Sequence, residues 1–175
     1  EELITNRQEF ETFYALGGEC GLSGIEDVIY LGHVCNQLGM DTISTGATIG
    51  FAMELAQREI LDKKIDGVEL EWGNFDSVLS LIPMIAERKG IGNILAEGSK
   101  RAAQIIDKGA EKYSMSVKGM ELAGYDPRGA KGIGLTYAVA SRGGCHKFAY
   151  TLKEEMWTGK VDRFTEEGKA ALVKE

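Results

Sequence analysis

The sequence contains no apolar run approaching the ~18 residues that a membrane-spanning helix needs. It also has no basic stretch leading into an apolar one near its start, so it carries neither sign of a membrane or export segment. Cysteine is scarce. Cys20, Cys35 and Cys145 are too widely spread to form a disulfide framework, which fits a reducing, cytoplasmic setting. Positive charge is in deficit, with 20 Lys and Arg against 27 Asp and Glu and a net charge of −7. That balance argues against nucleic acid or an anionic membrane surface as a partner. Repeats, heptad runs and low-complexity segments are missing as well. Gly90-Ile91-Gly92 and Gly132-Ile133-Gly134 both fall short of a complete nucleotide-binding loop, and neither follows a strand pattern.

What remains is a chain of 175 residues, enough for one good core or two small ones. It begins at Glu1 without a methionine and ends at Lys174-Glu175 inside a polar, helix-like stretch, so it reads as a piece of a larger protein. The apolar spacing predicts a mainly α fold. Helices are expected over Gln8–Leu16, Ile25–Leu38, Thr45–Leu61, Ser77–Lys89, Asn93–Asp107 and from Thr165 or Glu166 to Lys174. Asp76 is the expected N-cap of the fourth, and Pro83 is expected to kink or split it. Gly17–Gly24 reads as loop, Val68–Leu70 and Tyr113–Leu122 as extended, and Asp126–His146 as loop, helix, loop. Two packed helical units are expected, 1–115 and 116–175.

The most informative stretch runs from Cys35 to Leu55. One helix ends at Gly39, suited to a left-handed C′ position. Asp41, Thr42, Ser44 and Thr45 then offer N-caps for the next. That next helix is dense in small residues (Gly46, Ala47, Gly50, Ala52, Ala56), which predicts burial between close neighbours. Glycine in a helix interior costs ~1 kcal/mol against alanine, so close packing is the expected compensation. Most junctions of this kind are simply corners of a helical bundle; the same arrangement also suits a place where Asp41 and a helix N-terminus meet a polar ligand.

Candidate chemical groups are few. His33 and Cys35 are two apart on one helix and cannot share an ion; Tyr30-x-x-His33 has helical spacing, but tyrosine is a rare ligand. Cys145-His146 are adjacent, a spacing that seldom gives a thiolate–imidazole pair its geometry. His146 in its glycine-rich loop is better read as a proton-transfer group, since imidazole titrates near neutrality. Glu11 lies among Phe10, Phe13 and Tyr14. A carboxylate pressed against apolar surface has its charged form disfavoured, as a general acid or base requires, although an exposed helix glutamate fits the same pattern.

Several strings in order, EFETFYALG, CNQLGMDTISTGATIGFAMEL, GIGNILAEGSKRAA, VKGMELAGYDPRGAKGIGLTYAVASRGGCH and DRFTEEGKAALVKE, resemble the tungsten-containing aldehyde ferredoxin oxidoreductase family. The resemblance covers nearly the whole chain and places it in the family's helical part: 1–115 as the second domain, 116–175 as the first part of the third. It implies tungsten, or molybdenum, between two pterin dithiolenes beside a [4Fe–4S] cluster. It implies oxidation of an aldehyde to a carboxylate, with ferredoxin as electron acceptor.

The family's pterin motif falls on Asn36, Gly39, Met40 and Asp41, with asparagine where the family has its leading aspartate. The family's glutamate near the metal falls on Glu11, and its histidine on His146. The DPRG turn, Asp126 to Gly129, reads as a corner between the domains. A homodimer with a metal held by Glu-x-x-His also belongs to the family pattern; Tyr30 replaces that glutamate here, so no such metal is expected. The cluster cysteines would precede Glu1 and follow Glu175, and Cys20, Cys35 and Cys145 do not match them. The chain alone is therefore expected to bind neither cluster nor tungsten cofactor and to be catalytically silent. The alternatives are a non-catalytic helical interaction module of the same fold and a benzoyl-coenzyme-A-reductase-like subunit.

Overall fold

The computed structural model describes residues 8–159, 162, 164–168 and 170. Within it the chain divides into two compact units, 1–115 and 116–175. Helix dominates the described residues, as the apolar periodicity predicts; the strands are pairs of two residues each.

In the first unit, α1 (Phe10–Thr12) passes directly into a π-helical turn over Phe13–Gly17 and a 3₁₀ turn over Gly18–Cys20. The expected loop from Gly17 is thus helical as far as Cys20 and reverses only at Gly21, where φ reaches +74°. Helix α2 (Ile25–Gln37) buries Val28, Leu31, Gly32 and Cys35 along one face. It ends as the sequence predicts. Gly39 takes φ +68°. The Gly39 N–H donates to the Asn36 carbonyl at 3.2 Å and the Met40 N–H to the Cys35 carbonyl at 2.9 Å, the paired bonds of a Schellman motif.

Helix α3 (Thr42–Gln57) begins three residues earlier than the apolar pattern suggests, because Asp41 takes the N-cap and accepts from the Ser44 N–H at 2.8 Å. The helix is buried on nearly every side. Its small residues explain why. A Cβ on Gly46 would run into the Ala15 backbone, and one on Gly50 would lie 2.7 Å from the Glu19 carbonyl oxygen. Backbone meets backbone there, and no other residue fits.

Strands β1 (Lys64–Ile65) and β2 (Val68–Glu69) form a hairpin through Asp66 and Gly67, both with positive φ, as an Asp-Gly turn favours. The extended reading of Val68–Leu70 held only half of that hairpin. The Asp66 carboxylate then accepts from the Ile91 N–H at 2.6 Å, fastening the hairpin to the chain beyond α4 (Phe75–Ala86). Asn74 caps α4, where Asp76 was expected; the Asn74 side chain accepts from the Ser77 N–H at 3.1 Å. Pro83 does not split α4, which runs through it to Ala86. The single helix expected over Asn93–Asp107 is two, α5 (Gly92–Leu95) and α6 (Gly98–Ile106), because Gly98 adopts φ +78° and breaks the run. A 3₁₀ turn over Ala110–Tyr113 closes the unit. Its core is continuous through Leu16, Leu31, Ile49, Met53, Leu81 and Ile82. Each such side chain contributes roughly 1.5–3 kcal/mol on burial.

In the second unit, β3 (Ser116–Val117) and β4 (Met120–Glu121) make another hairpin, with Lys118 and Gly119 at positive φ. The segment expected to be extended over Tyr113–Leu122 is therefore a tight reversal. Helix α7 (Lys131–Val139) packs Ile133 and Tyr137 against Leu152 and Ala130. The buried Glu155 carboxylate, from a π-helical turn over Lys153–Trp157, accepts from the Gly132 N–H and the Thr151 hydroxyl. It satisfies donors at the start of α7, where the helix dipole favours negative charge. The DPRG turn lies within this unit rather than at the division. Its Asp126 carboxylate accepts from the Arg128 backbone and guanidinium, and those bonds hold the carboxyl down at about 2. Residues 166–168 and 170 are helical as expected. Residues 169 and 171–174 of that expected helix lie outside the described residues.

Replacing Gly46 with alanine should destabilise the chain by about 3 kcal/mol, the upper range for overpacking, because the Ala15 backbone cannot yield. Gly39→Ala, in open space at positive φ, should cost only about 1 kcal/mol. Urea denaturation of both variants tests the difference, and equal losses would contradict the close-approach account.

Candidate functional site

The expected site residues of the first unit cluster around the N-terminus of α3. Asn36, Gly39 and Asp41 are exposed on the turn from α2 to α3, and Met40 is half-buried beneath it. Met40 and Asp41 join Ser44, Thr45 and Thr48 in lining a pocket of about 320 Å³, closed on its far side by Arg88 and Gly98. Arg88 is held by Glu97 at 2.7 Å, and Glu97 also faces Arg101 at 3.6 Å, so one carboxylate is shared by two guanidinium groups. The two arginines keep the Glu97 carboxyl below its usual range, Arg88 through hydrogen bonding first.

Glu11 is buried on α1. The structure ties it to the turn through its neighbour: the Thr12 and Thr42 hydroxyls bond at 2.8 Å, and Thr42 directly follows Asp41. Two candidates far apart in sequence, Glu11 and Asp41, are thus each next to one partner of a single bond. Asp41 itself is partly committed, since one carboxylate oxygen caps α3 and only the other can face a ligand.

His146 belongs to the second unit and is buried there. Its ring lies 5.5 Å from that of Tyr125 and 6.4 Å from that of Tyr150, centroid to centroid. The tyrosine hydroxyls are 3.3 Å apart. Neither tyrosine stood out in the sequence. Tyr125 precedes the DPRG turn and Tyr150 lies four residues beyond His146, and only the folding of the loop after α7 brings the three rings together.

Cys20 and Cys35 are buried within the first unit. Burial pushes the Cys20 thiol up to about 12, with the Glu19 charge adding to it. Burial likewise takes Cys35 to about 12, against a hydrogen bond with Thr45. Among the described residues, no three His, Cys, Asp or Glu side chains converge as a metal site would require. No described helix is long and apolar enough to cross a membrane.

All 175 residues match the family model described as aldehyde ferredoxin oxidoreductase, domains 2 and 3. The chain belongs to the aldehyde ferredoxin oxidoreductase family. It is 43% identical over 155 residues to a tungsten-containing aldehyde ferredoxin oxidoreductase of Thermococcus kodakarensis, a match covering 87% of this chain and 25% of the relative. Against the enzyme of that name from Pyrococcus furiosus it is 44% identical over 154 residues, with the same coverage. A WOR-like subunit of an aliphatic sulfonate oxidoreductase from the same organism is 37% identical, over 90% of this chain and 26% of that one. Among solved structures, an active-site complex of benzoyl coenzyme A reductase with 1,5-dienoyl-CoA matches with a TM-score of 0.61 and 27% identity. That match covers 76% of this chain and 20% of the other. The chain therefore spans about a quarter of the length of the curated relatives it matches.

Asp41→Ala should cost about 1 kcal/mol through loss of the cap, while Asp41→Asn should leave stability nearly unchanged. Thermal melts of the two variants separate the cap from the charge.

The raised thiols carry a second expectation. A thiol whose folded pKa lies above its unfolded one contributes stability that is complete below about pH 9 and fades as pH rises through about 12. Cys20 and Cys35 should resist iodoacetamide at pH 8 until the chain unfolds. Rapid alkylation of the native protein would contradict their burial.

Proposed function

We propose that this chain is the helical part, residues 1–115 of the second domain and 116–175 of the third, of a cytoplasmic tungsten or molybdenum bis-pterin oxidoreductase. The whole enzyme oxidises aldehydes to carboxylic acids and passes electrons through a [4Fe–4S] cluster, held elsewhere in the parent, to ferredoxin. The observation that carries this reading is the 43% identity to a tungsten-containing aldehyde ferredoxin oxidoreductase across 87% of the chain. The bond between Thr12 and Thr42, which draws Glu11 toward the Asn36–Asp41 turn, supports it.

The turn suits a pterin. Asn36 offers an amide donor and acceptor, Asp41 a second carboxylate oxygen, and a Cβ on Gly39 would meet nothing within 4 Å, so the approach is open. The backbone N–H groups of Gly39 and Met40 are already spent on the Schellman bonds, which leaves recognition to the side chains. When bound, the metal cofactor supplies the two-electron redox chemistry.

The residues of the chain handle protons. Oxidation of an aldehyde with water to a carboxylic acid releases two electrons and two protons. The buried Glu11 carboxylate accepts a proton from the attacking water. The His146 imidazole, buried in the loop after α7, is the second acceptor. The isolated chain, without the rest of the parent, does not turn over.

A second reading has one specific support. The fold match to the benzoyl coenzyme A reductase complex fits a parent that reduces an aromatic thioester instead of oxidising an aldehyde.

The deciding measurement is elemental analysis for tungsten, molybdenum and iron on the full-length parent, purified without oxygen, with the 175-residue chain alongside. Metal and iron are expected in the parent only, together with aldehyde-dependent reduction of ferredoxin. In the parent, Glu11→Gln should lower kcat by about 10²-fold or more with metal content intact. Unimpaired turnover in that variant would remove Glu11 from the chemistry, and activity on the coenzyme A thioester alone would favour the second reading.

A further inference from the structure

His146 is enclosed by two aromatic rings that are themselves joined. Tyr125 and Tyr150 meet edge to face, with centroids 6.0 Å apart and planes at 81°. Tyr150 also meets the imidazole edge to face at 65°, and Tyr125 is tilted against it at 47°. Edge-to-face pairs place a positive ring edge on a negative ring face and so prefer particular orientations. The hydrogen bond between the two hydroxyls, at 3.3 Å, links the rings a second time. The supports come from different places. Tyr125 sits between β4 and the DPRG turn, where its N–H donates to the Ala123 carbonyl at 2.6 Å. Tyr150 lies on the far side of the His146 loop and is 43% exposed, with the Lys147 ammonium 5.9 Å from its ring centre.

A half-exposed ring is an uneconomical way to fill a core, and the core cluster of this unit, built on Ile133, Tyr137 and Leu152, does not include it. The Tyr150 ring meets the imidazole and the Tyr125 ring, and its hydroxyl meets the Tyr125 hydroxyl. We propose that Tyr150 is the positioning residue of His146: through ring contact and through its bond to Tyr125 it holds the imidazole in one orientation. This proposal rests on the reading of His146 as a proton-handling group. Tyr150 itself contacts neither substrate nor cofactor in this role. A proton acceptor swinging freely in a glycine-rich loop would lose much of the advantage of its placement, since misplacement of about 1 Å costs on the order of 10²-fold in rate.

The test uses the full-length parent with Tyr150→Ala and Tyr150→Phe. The first readout is deuterium exchange at the imidazole C2 position, followed by mass spectrometry for each histidine. It reports access and mobility at His146 and needs no turnover. Exchange at His146 should quicken severalfold in Tyr150→Ala and less in Tyr150→Phe, while His33, on α2 of the other unit, serves as the internal control and stays unchanged. The second readout is kinetic: Tyr150→Ala should lower kcat about tenfold with KM nearly constant, and Tyr150→Phe, which keeps the ring, should recover part of the loss. Unchanged exchange at His146, equal quickening at His33, or a rise in KM with kcat intact would each overturn the proposal. If the unaltered parent oxidises no aldehyde, the proposed function falls, and the exchange comparison still decides whether Tyr150 holds His146.

Discussion

The backbone contact between α3 and the turns over Phe13–Cys20 is the constraint from which the first unit is built. Gly46 admits the Ala15 backbone and Gly50 admits the Glu19 carbonyl, so two chain segments approach more closely than any side chain would permit. Close approach brings several other features with it. It buries Ala15, Leu16 and Cys20 completely, and it lets the Cys20 thiol reach the carbonyls of Ala15 and Gly46. It also explains why α3 is buried on nearly all sides, a condition that polar faces forbid to most helices. The glycines that weaken a helix in isolation are here what seats it.

The same contact orders the candidate site. With α3 pressed against the Phe13–Cys20 turns, α1 lies beside the first residue of α3, and the Thr12–Thr42 bond joins them. Glu11 on one side and the Asn36–Asp41 turn on the other are carried to that bond by the backbone. The Schellman closure of α2 and the Asp41 cap of α3 then fix the turn from both ends. Asp41 caps α3 with one carboxylate oxygen, and its other oxygen is the one the proposed reading assigns to a ligand. The arrangement is a corner of the helical unit; its use as a recognition surface belongs to the proposed function.

The second unit solves a similar problem with polar groups. Glu155 replaces water at the start of α7, and Thr136 returns its hydroxyl to the Gly132 carbonyl at 3.0 Å, so buried hydrogen bonds add to the apolar packing of Ile133 and Tyr137 in anchoring a short helix. The loop that follows α7 buries His146, and Tyr125 and Tyr150 supply its aromatic enclosure.

By itself the sequence determined the helical class, the course of α2, the left-handed Gly39 and the burial of α3. These depend on periodicity and on single residues whose conformational or steric properties are local. The family strings likewise marked Glu11, His146 and the turn as candidates, because strings are legible without contacts. The structure alone decided the rest. Gly98 breaks α5 from α6 and Asn74 rather than Asp76 caps α4 through local backbone conformations that several nearby residues could have supplied, while the bond from the Ile91 N–H to Asp66 joins residues 25 apart in sequence. Tyr125, Tyr150 and Glu155 drew no attention as letters. Their roles come from rings and carboxylates meeting across loops, and a meeting of that kind is set by the packing of the whole unit.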